Sequence, residues 1–181
     1  MARLYGLVLG LTMALGGAQA ERRALVVGID NYAPAAFEAR LATLGHFDRV
    51  RAEGRGFNRL EGAVQDAQAV ARALRARYGL RDVRLLLDEA ATRAALLGAL
   101  DRLLADSQPG DTAVFYFAGH GSQITNLSRP AGDRLEQTLV PADAWRGAVE
   151  ALPAPVDVRD KALAERYNAA LDRGVELLVI V

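Results

Sequence analysis

Hydrophobic positions along the chain fall into two kinds of stretch, short continuous apolar runs and longer stretches with one apolar face. Continuous runs rich in β-branched residues at 24–29, 83–87 and 112–117 predict strands that are buried on both faces of a parallel sheet. Between them, apolar residues three or four positions apart predict helices at 62–78 and 94–105. The order β-α-β-α-β with short links predicts an α/β protein, a three-layer sandwich around a mostly parallel sheet.

Capping residues and the handedness of crossovers refine this prediction. Gly79 follows the first helix as a C-cap, and Asp88 and Thr92 are both candidate N-caps for the second helix. Right-handed crossovers make the first strand central, with the second and third strands either on its two sides or in series.

The pattern is less regular beyond the third strand. Two stretches show no clear periodicity: a long connection at 33–60, which has room for a short helix at 35–44, and a polar loop at 122–136. Long connections in small domains often carry function. The remaining strands and the remaining helix are predicted at 137–140, 175–181 and 157–173.

The first twenty residues match the layout of a secretory signal peptide. Arg3 supplies a positive charge, 4–15 is apolar or small, and Ala18-Gln19-Ala20 fits the pattern that signal peptidase reads. We therefore expect a signal peptide at 1–20, export to the periplasm or out of the cell, and a mature chain that starts near Glu21. The alternative is an uncleaved anchor in the membrane interface. No later segment is apolar over the ~20 residues that a membrane span needs.

Composition narrows the classes of function. The 181 residues suit one domain or part of one, which we place at 22–181. Lys+Arg and Asp+Glu both number 22, so the formal net charge is zero and nothing indicates a nucleic-acid partner. The sequence contains no cysteine, which excludes a disulfide framework, a thiolate metal site and a cysteine nucleophile within these residues.

The residues that indicate chemistry follow the third strand directly, in Gly119-His120-Gly121. Sites in open parallel sheets lie beyond the carboxyl ends of the strands. Two glycines allow a sharp turn and close approach to a substrate, and His120 is a candidate general acid or base. The N–H of Gly121 is a candidate oxyanion donor. The alternative is a histidine in a polar turn without a chemical role. We interpret His46, which has no such context, as a solvated loop residue.

Four blocks of the sequence, in this order, resemble bacterial caspase-like peptidases of the metacaspase and orthocaspase type. The blocks are ALVVGIDNY at 24–32, LEGAVQDA at 60–67, LLLDEAAT at 85–92 and VFYFAGHGSQ at 114–123. The resemblance covers about 22–181. It implies a caspase–haemoglobinase fold and a Cys–His dyad. In that dyad His120 matches the catalytic histidine, and Gly121 matches the residue whose N–H helps to bind the oxyanion.

The same resemblance places the nucleophilic cysteine after a β-rich run such as 175–181, where the sequence stops. We therefore expect a fold that is incomplete at its C-terminus, truncated before the catalytic cysteine, and a chain that is inactive alone. A fragment and a genuine stop are both open. Ser122 is not a substitute nucleophile, because its surroundings do not form a G-x-S-x-G elbow.

Asp66 is the candidate substrate-binding residue. In metacaspase-like relatives the matching Asp helps to bind Arg or Lys at P1, and a carboxylate recognises a guanidinium through two parallel hydrogen bonds. Caspases that cut after Asp carry an Arg shortly before the glycine that matches Gly62, where this chain has Leu60. The resemblance therefore implies a basic P1 residue. The alternative is that Asp66 merely complements the dipole of its helix.

An acidic stretch at 132–143 resembles one that binds calcium in some metacaspases. Asp133, Glu136 and Asp143 are the candidate oxygen ligands, with Arg134 among them. A solvated loop without a metal is the competing interpretation. We expect no cofactor, with calcium as the alternative.

Three functions are compatible with these features. The first is an exported cysteine endopeptidase of the caspase and metacaspase group with polypeptide substrates. The second is a non-catalytic caspase-like module for binding or regulation. The third, a nucleotide-binding α/β domain, is disfavoured because Gly28 stands alone and neither a G-x-G-x-x-G nor a P-loop pattern occurs. We expect no nucleic-acid partner and no membrane span.

Overall fold

The computed structural model describes residues 20–32, 42–43, 45, 56–125, 135–144 and 157–181. The signal peptide predicted at 1–20 lies outside the described residues except for Ala20, as do His46 and most of the helix predicted at 35–44. No helix of the described residues is long and apolar enough to cross a bilayer. In chain order the elements are β1 (Arg22–Gly28), α1 (Ala63–Tyr78), β2 (Asp82–Leu87), a 3-10 turn (Asp88–Ala90), α2 (Arg93–Ala105), β3 (Thr112–Ala118), β4 (Gly121–Thr125), β5 (Leu135–Leu139), β6 (Val158–Arg159), α3 (Asp160–Leu171) and β7 (Glu176–Ile180).

Four parallel strands form the main sheet in the order β2-β1-β3-β7. In β1, Val26 lies opposite Leu85 on one side and Tyr116 on the other, and Tyr116 pairs in turn with Ile180. The first strand is therefore central, with the second and third on its two sides. The predicted α/β fold with a mostly parallel sheet is confirmed, and β7 confirms the final strand predicted at 175–181.

Helices cover both faces of the main sheet, which explains why its strands have continuous apolar sequences. Ala24 and Val26 of β1 pack with residues of α1, whereas Leu25 and Val27 belong to a larger core that includes α2 and α3. All four side chains are at most 2% exposed. Alternate residues of one strand thus fill two separate cores, so no polar face is left.

A second, antiparallel sheet of order β4-β5-β6 shows that the polar loop predicted at 122–136 is wrong at 122–125 and 135–136, which belong to strands. β4 and β5 pair as a hairpin whose tip, 126–134, lies outside the described residues. β5 begins two residues before the strand predicted at 137–140. Along β4, the partly buried Ser122 and Ile124 alternate with exposed neighbours. Because one face of this hairpin is solvated, its strands are largely polar, and a search for apolar runs misses them.

The segment before α3 is tied to this small sheet. Val158–Arg159 pairs with β5, so α3 begins at Asp160, three residues later than the helix predicted at 157–173. The hydroxyl of Thr138 donates a hydrogen bond of 2.7 Å to the carboxylate of Asp157. Burial raises the pKa of that carboxyl above its ordinary value, and the hydrogen bond offsets part of the effect.

Two of the three predicted capping residues are confirmed. Gly79 ends α1 in the left-handed conformation, with φ of 69°, and its N–H donates to the carbonyl of Leu74. Thr92 caps α2, since its side-chain oxygen accepts the N–H of Ala95 at 3.2 Å. Asp88 does not cap α2. It adopts a φ of 44° in the turn after β2, and its carboxylate bonds to the end of β1.

Asp111 joins the amino ends of three strands. Its carboxylate accepts the N–H groups of Glu21 and Gln108 at 2.7 and 2.9 Å. It also accepts a guanidinium N–H of Arg23 at 2.8 Å, and its own carbonyl accepts the N–H of Glu176 at 2.8 Å. The backbone donors, with Gln108 first, hold the pKa of Asp111 below its ordinary value. Asp111 thus anchors β1 and β3 through its carboxylate, and β7 through its backbone carbonyl, at the edge opposite the carboxyl ends of these strands.

α1 crosses β1 so closely that Gly28 has no room for a side chain. A Cβ at this position would lie 2.6 Å from both the Ala63 carbonyl oxygen and the Ala67 Cβ. Gly98, inside α2, is the opposite case, because a Cβ there would have nothing within 4 Å.

We expect Gly28→Ala to lower the free energy of unfolding by about 1–3 kcal/mol, because the added methyl group would displace α1. Gly98→Ala is the matched control and should raise the free energy of unfolding by about 0.5–1 kcal/mol through helix propensity. Urea denaturation followed by circular dichroism measures both changes. Effects of the same sign and size would contradict the close approach of α1 to β1.

Candidate functional site

The carboxyl ends of β1 and β3 lie side by side. Gly28 pairs with Ala118, and the N–H of Ile29 donates to the Ala118 carbonyl at 3.0 Å. The segments that leave the two strands, 30–32 and 119–121, are therefore neighbours. This is the edge of the sheet at which sites form in open parallel folds.

His120 is held at two different atoms. Its Nε2 lies 2.8 Å from the carbonyl oxygen of Asn58, and its peptide N–H donates to the phenol oxygen of Tyr32 at 2.6 Å. A carbonyl oxygen only accepts hydrogen bonds, so Nε2 carries the hydrogen and Nδ1 is the acceptor nitrogen of the neutral ring. The arrangement suits a general base, or after protonation a general acid, that acts through Nδ1.

Two buried aromatic rings flank the imidazole. Ring centroids lie 4.8 Å apart for Tyr32 and His120, 5.6 Å for Phe57 and His120, and 5.8 Å for Tyr32 and Phe57. Burial raises the pKa of Tyr32 to about 12, so its phenol is neutral over the ordinary pH range. His120 itself is only partly buried. Its ring is thus supported from one side and accessible from another, as a group that meets a substrate must be.

Glycine is required at position 119 because a side chain there would collide with Tyr32, and not because of its backbone conformation. A Cβ there would lie 2.5 Å from the phenol oxygen of Tyr32. Neither Gly119 nor Gly121 has a positive φ, so the expectation of a sharp turn that needs glycine is wrong. Gly121 is exposed at the start of β4, and a Cβ there would make an ordinary contact of 3.7 Å with the Thr138 carbonyl. Its role as an oxyanion donor stays a prediction.

Two carboxylates fix the carboxyl end of β1. Asp88 accepts the N–H groups of Asp30 and Asn31 at 2.9 and 3.0 Å. Asp30 in turn accepts the N–H groups of Ala63 and Val64 at 2.9 and 3.3 Å. These are donors of the first turn of α1, which lack partners within the helix. Because the N-cap residue of α1 is a glycine, Asp30 provides the cap from outside the helix.

A comparison with protein families supports the resemblance that the sequence blocks indicate. The family model for the metacaspase, peptidase C14 domain, matches residues 22–181. The chain belongs to the metacaspase family. It is 32% identical to Metacaspase-1 of Schizosaccharomyces pombe over 94 residues, which are 48% of this chain and 22% of that protein. It is 34% identical to Metacaspase-1 of Cryptococcus neoformans var. neoformans over 92 residues, which are 46% of this chain and 20% of that protein.

The metacaspase chain spans about a fifth of the length of these curated relatives. A solved structure, protein GSU0716 from Geobacter sulfurreducens, matches it with a TM-score of 0.60. The match covers 88% of this chain and 48% of that chain, at 23% identity. At this identity the likeness shows the fold alone, and it agrees with the α/β architecture described above.

Asp66 lies in the first turn of α1, near the carboxyl edge of the sheet, and it is exposed. Within the described part of the chain its side chain forms no hydrogen bond or ion pair. Burial raises the pKa of Tyr116 on β3, and the negative charge of Asp66 adds to that effect. This position is compatible with binding a basic side chain and with complementing the helix dipole, so the role of Asp66 in this metacaspase stays a prediction.

The candidate calcium ligands serve other purposes where the structure describes them. Glu136 is 1% exposed and pairs with Lys161 at 3.0 Å and Arg159 at 3.8 Å, so its interpretation as part of a solvated loop is wrong. Asp143 accepts the N–H of Arg93 at the start of α2, at 2.8 Å. Asp133 lies outside the described residues. Among the residues that are described, no three acidic or histidine side chains are grouped to hold a metal ion.

Sequence reasoning missed the residues that hold His120. Tyr32 is part of the block at 24–32, but the sequence alone indicates no role for it. Asn58 and Phe57 are part of the connection at 33–60. The rule that sites follow the carboxyl ends of parallel strands applies to β1 as well as to β3, and it identifies Tyr32. No sequence signal points to Asn58, because it contributes a backbone carbonyl that every residue has.

We expect the neutral imidazole of His120 to be the Nε2–H tautomer, because only that form donates to the Asn58 carbonyl. Nitrogen-15 chemical shifts of a histidine-labelled chain distinguish a protonated ring nitrogen from an unprotonated one. His46→Ala removes the other histidine and assigns the signals. A neutral His120 with its hydrogen on Nδ1 would contradict the contact with Asn58.

Proposed function

We propose that this chain provides the histidine half of a cysteine-type endopeptidase of the metacaspase group, which acts on polypeptides. The observation that carries the proposal is the geometry of His120. Its Nε2 is engaged by the Asn58 carbonyl, which leaves Nδ1 as the acceptor for a nucleophile's proton. Two further observations support the proposal. His120 lies at the carboxyl end of β3, and the chain belongs to the peptidase C14 family.

The proposed reaction needs a thiol, and the 181 residues contain no cysteine, so the thiol would lie outside them. His120 takes the thiol proton, and the thiolate sulfur attacks the carbonyl carbon of the scissile bond. The protonated imidazole then gives its proton to the leaving amine as the C–N bond breaks. Water hydrolyses the resulting thioester, which releases the acid and restores the thiol. The N–H of Gly121 would stabilise the oxyanion of each tetrahedral intermediate.

The second candidate function is a non-catalytic caspase-like module that binds or regulates other proteins. The observation that favours it is the absence of cysteine from the sequence. The α/β fold and the aromatic support of His120 are equally compatible with such a module.

Asp66 is proposed to bind a basic P1 side chain. In support, its carboxylate is exposed and carries no partner within the described residues, so it is available to a guanidinium or an ammonium group. The dyad itself uses protein groups only. A calcium role would have to use ligands other than the carboxylate of Glu136, which Lys161 and Arg159 already hold. Export through a signal peptide at 1–20 is part of the proposal and rests on the sequence layout alone.

Peptidase activity of the polypeptide that the gene encodes tests the main proposal. Fluorogenic peptides with Arg or Lys at P1 should be cleaved in a thiol-dependent manner, whereas a peptide with Asp at P1 should not be cleaved. His120→Ala should lower kcat by about 10²–10⁴-fold, the usual contribution of a general acid–base group. His46→Ala is the matched control and should leave kcat unchanged. A cooperatively folded product that cleaves none of the peptides would refute the peptidase and favour the binding module.

Removing the carboxylate of Asp66 tests the proposed specificity. Asp66→Asn should lower kcat/KM for an Arg-P1 peptide by about tenfold or more, because it removes a charge-assisted hydrogen bond. Glu165→Gln, which removes an exposed carboxylate from α3, is the control and should change little. Equal losses in the two variants, or none in either, would leave the helix dipole as the role of Asp66.

A further inference from the structure

We propose that Tyr32 is a positioning residue that sets the location of His120 through the peptide group and the ring. Tyr32 is 1% exposed. Its phenol oxygen accepts the His120 N–H at 2.6 Å, and the two ring centroids are 4.8 Å apart with an interplanar angle of 53°. For its effect on catalysis the inference rests on the proposed peptidase function; its structural part does not.

Gly119, the residue before His120, leaves room for the phenol of Tyr32. A Cβ on Gly119 would lie 2.5 Å from the Tyr32 oxygen and 3.0 Å from the Phe117 ring. Since the backbone of Gly119 has no positive φ, the close approach of Tyr32 is what excludes a side chain. Gly119 and Tyr32 therefore act as one complementary pair, in which the missing methyl group makes room for the hydroxyl.

Tyr32 is itself anchored from two sides. Asp88 accepts the N–H groups of the two residues that precede it, Asp30 and Asn31. The carbonyl of Asp30 accepts the N–H of Leu60 at 2.9 Å, so the segment that carries the Asn58 carbonyl is tied to the segment that carries Tyr32. The two contacts to His120 therefore come from one connected support.

These contacts fix different degrees of freedom of His120. The phenol holds the peptide group and so sets where the side chain starts, while the Asn58 carbonyl holds Nε2 and sets how the ring is rotated. A displacement of about 1 Å in a catalytic group can cost about 10²-fold in rate. The hydroxyl of Tyr32 should therefore matter to catalysis without touching a substrate.

Two phenylalanine substitutions separate positioning from general stability. Tyr32→Phe removes the acceptor of the His120 N–H and keeps the ring. Tyr167→Phe removes another buried hydroxyl, which packs near Phe115 and has no hydrogen-bond partner within the described residues. Both variants lose one buried oxygen, but only the first loses a contact with His120.

The primary measurement is nuclear magnetic resonance of the nitrogen-15-labelled full chain. In Tyr32→Phe we expect the His120 amide proton to move upfield and to exchange with solvent about tenfold faster or more. Because the peptide group of His120 can then shift and carry the ring away from the Asn58 carbonyl, the ring nitrogens should report a mixture of tautomers in place of Nε2–H. Tyr167→Phe should leave all three signals unchanged. An unchanged His120 amide in Tyr32→Phe, or equal changes in the two variants, would overturn the proposal.

Gly119→Ala provides a second variant in which Tyr32 is retained. Its methyl group would force the phenol away, so the His120 amide should move in the same direction as in Tyr32→Phe. Gly121→Ala, where a Cβ makes an ordinary contact, is its control and should leave the hydrogen bond to Tyr32 intact. Retention of the wild-type amide signal in Gly119→Ala would contradict the pairing of Gly119 with Tyr32.

Kinetics of the encoded polypeptide separate this inference from the proposed function. Tyr32→Phe should lower kcat by about 10–10²-fold with KM unchanged, because substrate contacts are not altered. If the wild type cleaves no peptide but the amide signals change as expected, the peptidase proposal fails and the positioning of His120 stands. If the wild type cleaves and Tyr32→Phe keeps its kcat, the positioning role is refuted.

Discussion

The parallel pairing of β1 with β3 is the constraint on which the site depends. Because Gly28 and Ala118 end at the same level, the chain leaves both strands at one edge, and Tyr32 is within hydrogen-bond reach of His120. A slip of one residue would exchange the two faces of β1, which fill separate cores, so burial on both sides fixes the register. The position of the histidine is thus a consequence of how the core packs.

Two carboxylates connect further elements at the edge of the sheet where β1 and β3 end. Asp88, beyond β2, holds the turn after β1, and Asp30 in that turn caps α1. Three successive elements of the chain are therefore connected at the carboxyl edge through two acidic side chains that accept backbone N–H groups. Such bonds to charged acceptors are stronger than neutral ones. They hold α1, and with it Asp66, relative to the strand ends at which Tyr32 and His120 lie.

Sequence reasoning succeeded where burial or capping produces a pattern among residues that are neighbours in the chain. The strands of the main sheet are apolar on both faces, and Thr92 and Gly79 cap helices by local rules, so both kinds of feature are visible from neighbours in the chain. It failed for the hairpin of β4 and β5, whose solvated face makes the sequence polar. It also failed for Asp88 and Glu136, which bond to residues distant in sequence. Those partners are set by the fold, which no local pattern encodes.

The contacts that support His120 do not involve a nucleophile. Its N–H bonds to Tyr32, its Nε2 to Asn58, and its carbonyl to the N–H of Val140 beyond β5. Each partner is placed by a different part of the fold: the end of β1, the segment before α1 and the small sheet. The imidazole that we propose as the acid–base group is therefore preorganised independently of the thiol that the proposed dyad needs. The absence of cysteine thus bears on whether these residues alone perform chemistry. It does not weaken the inference that the segment 119–121 is held so as to expose the imidazole of His120.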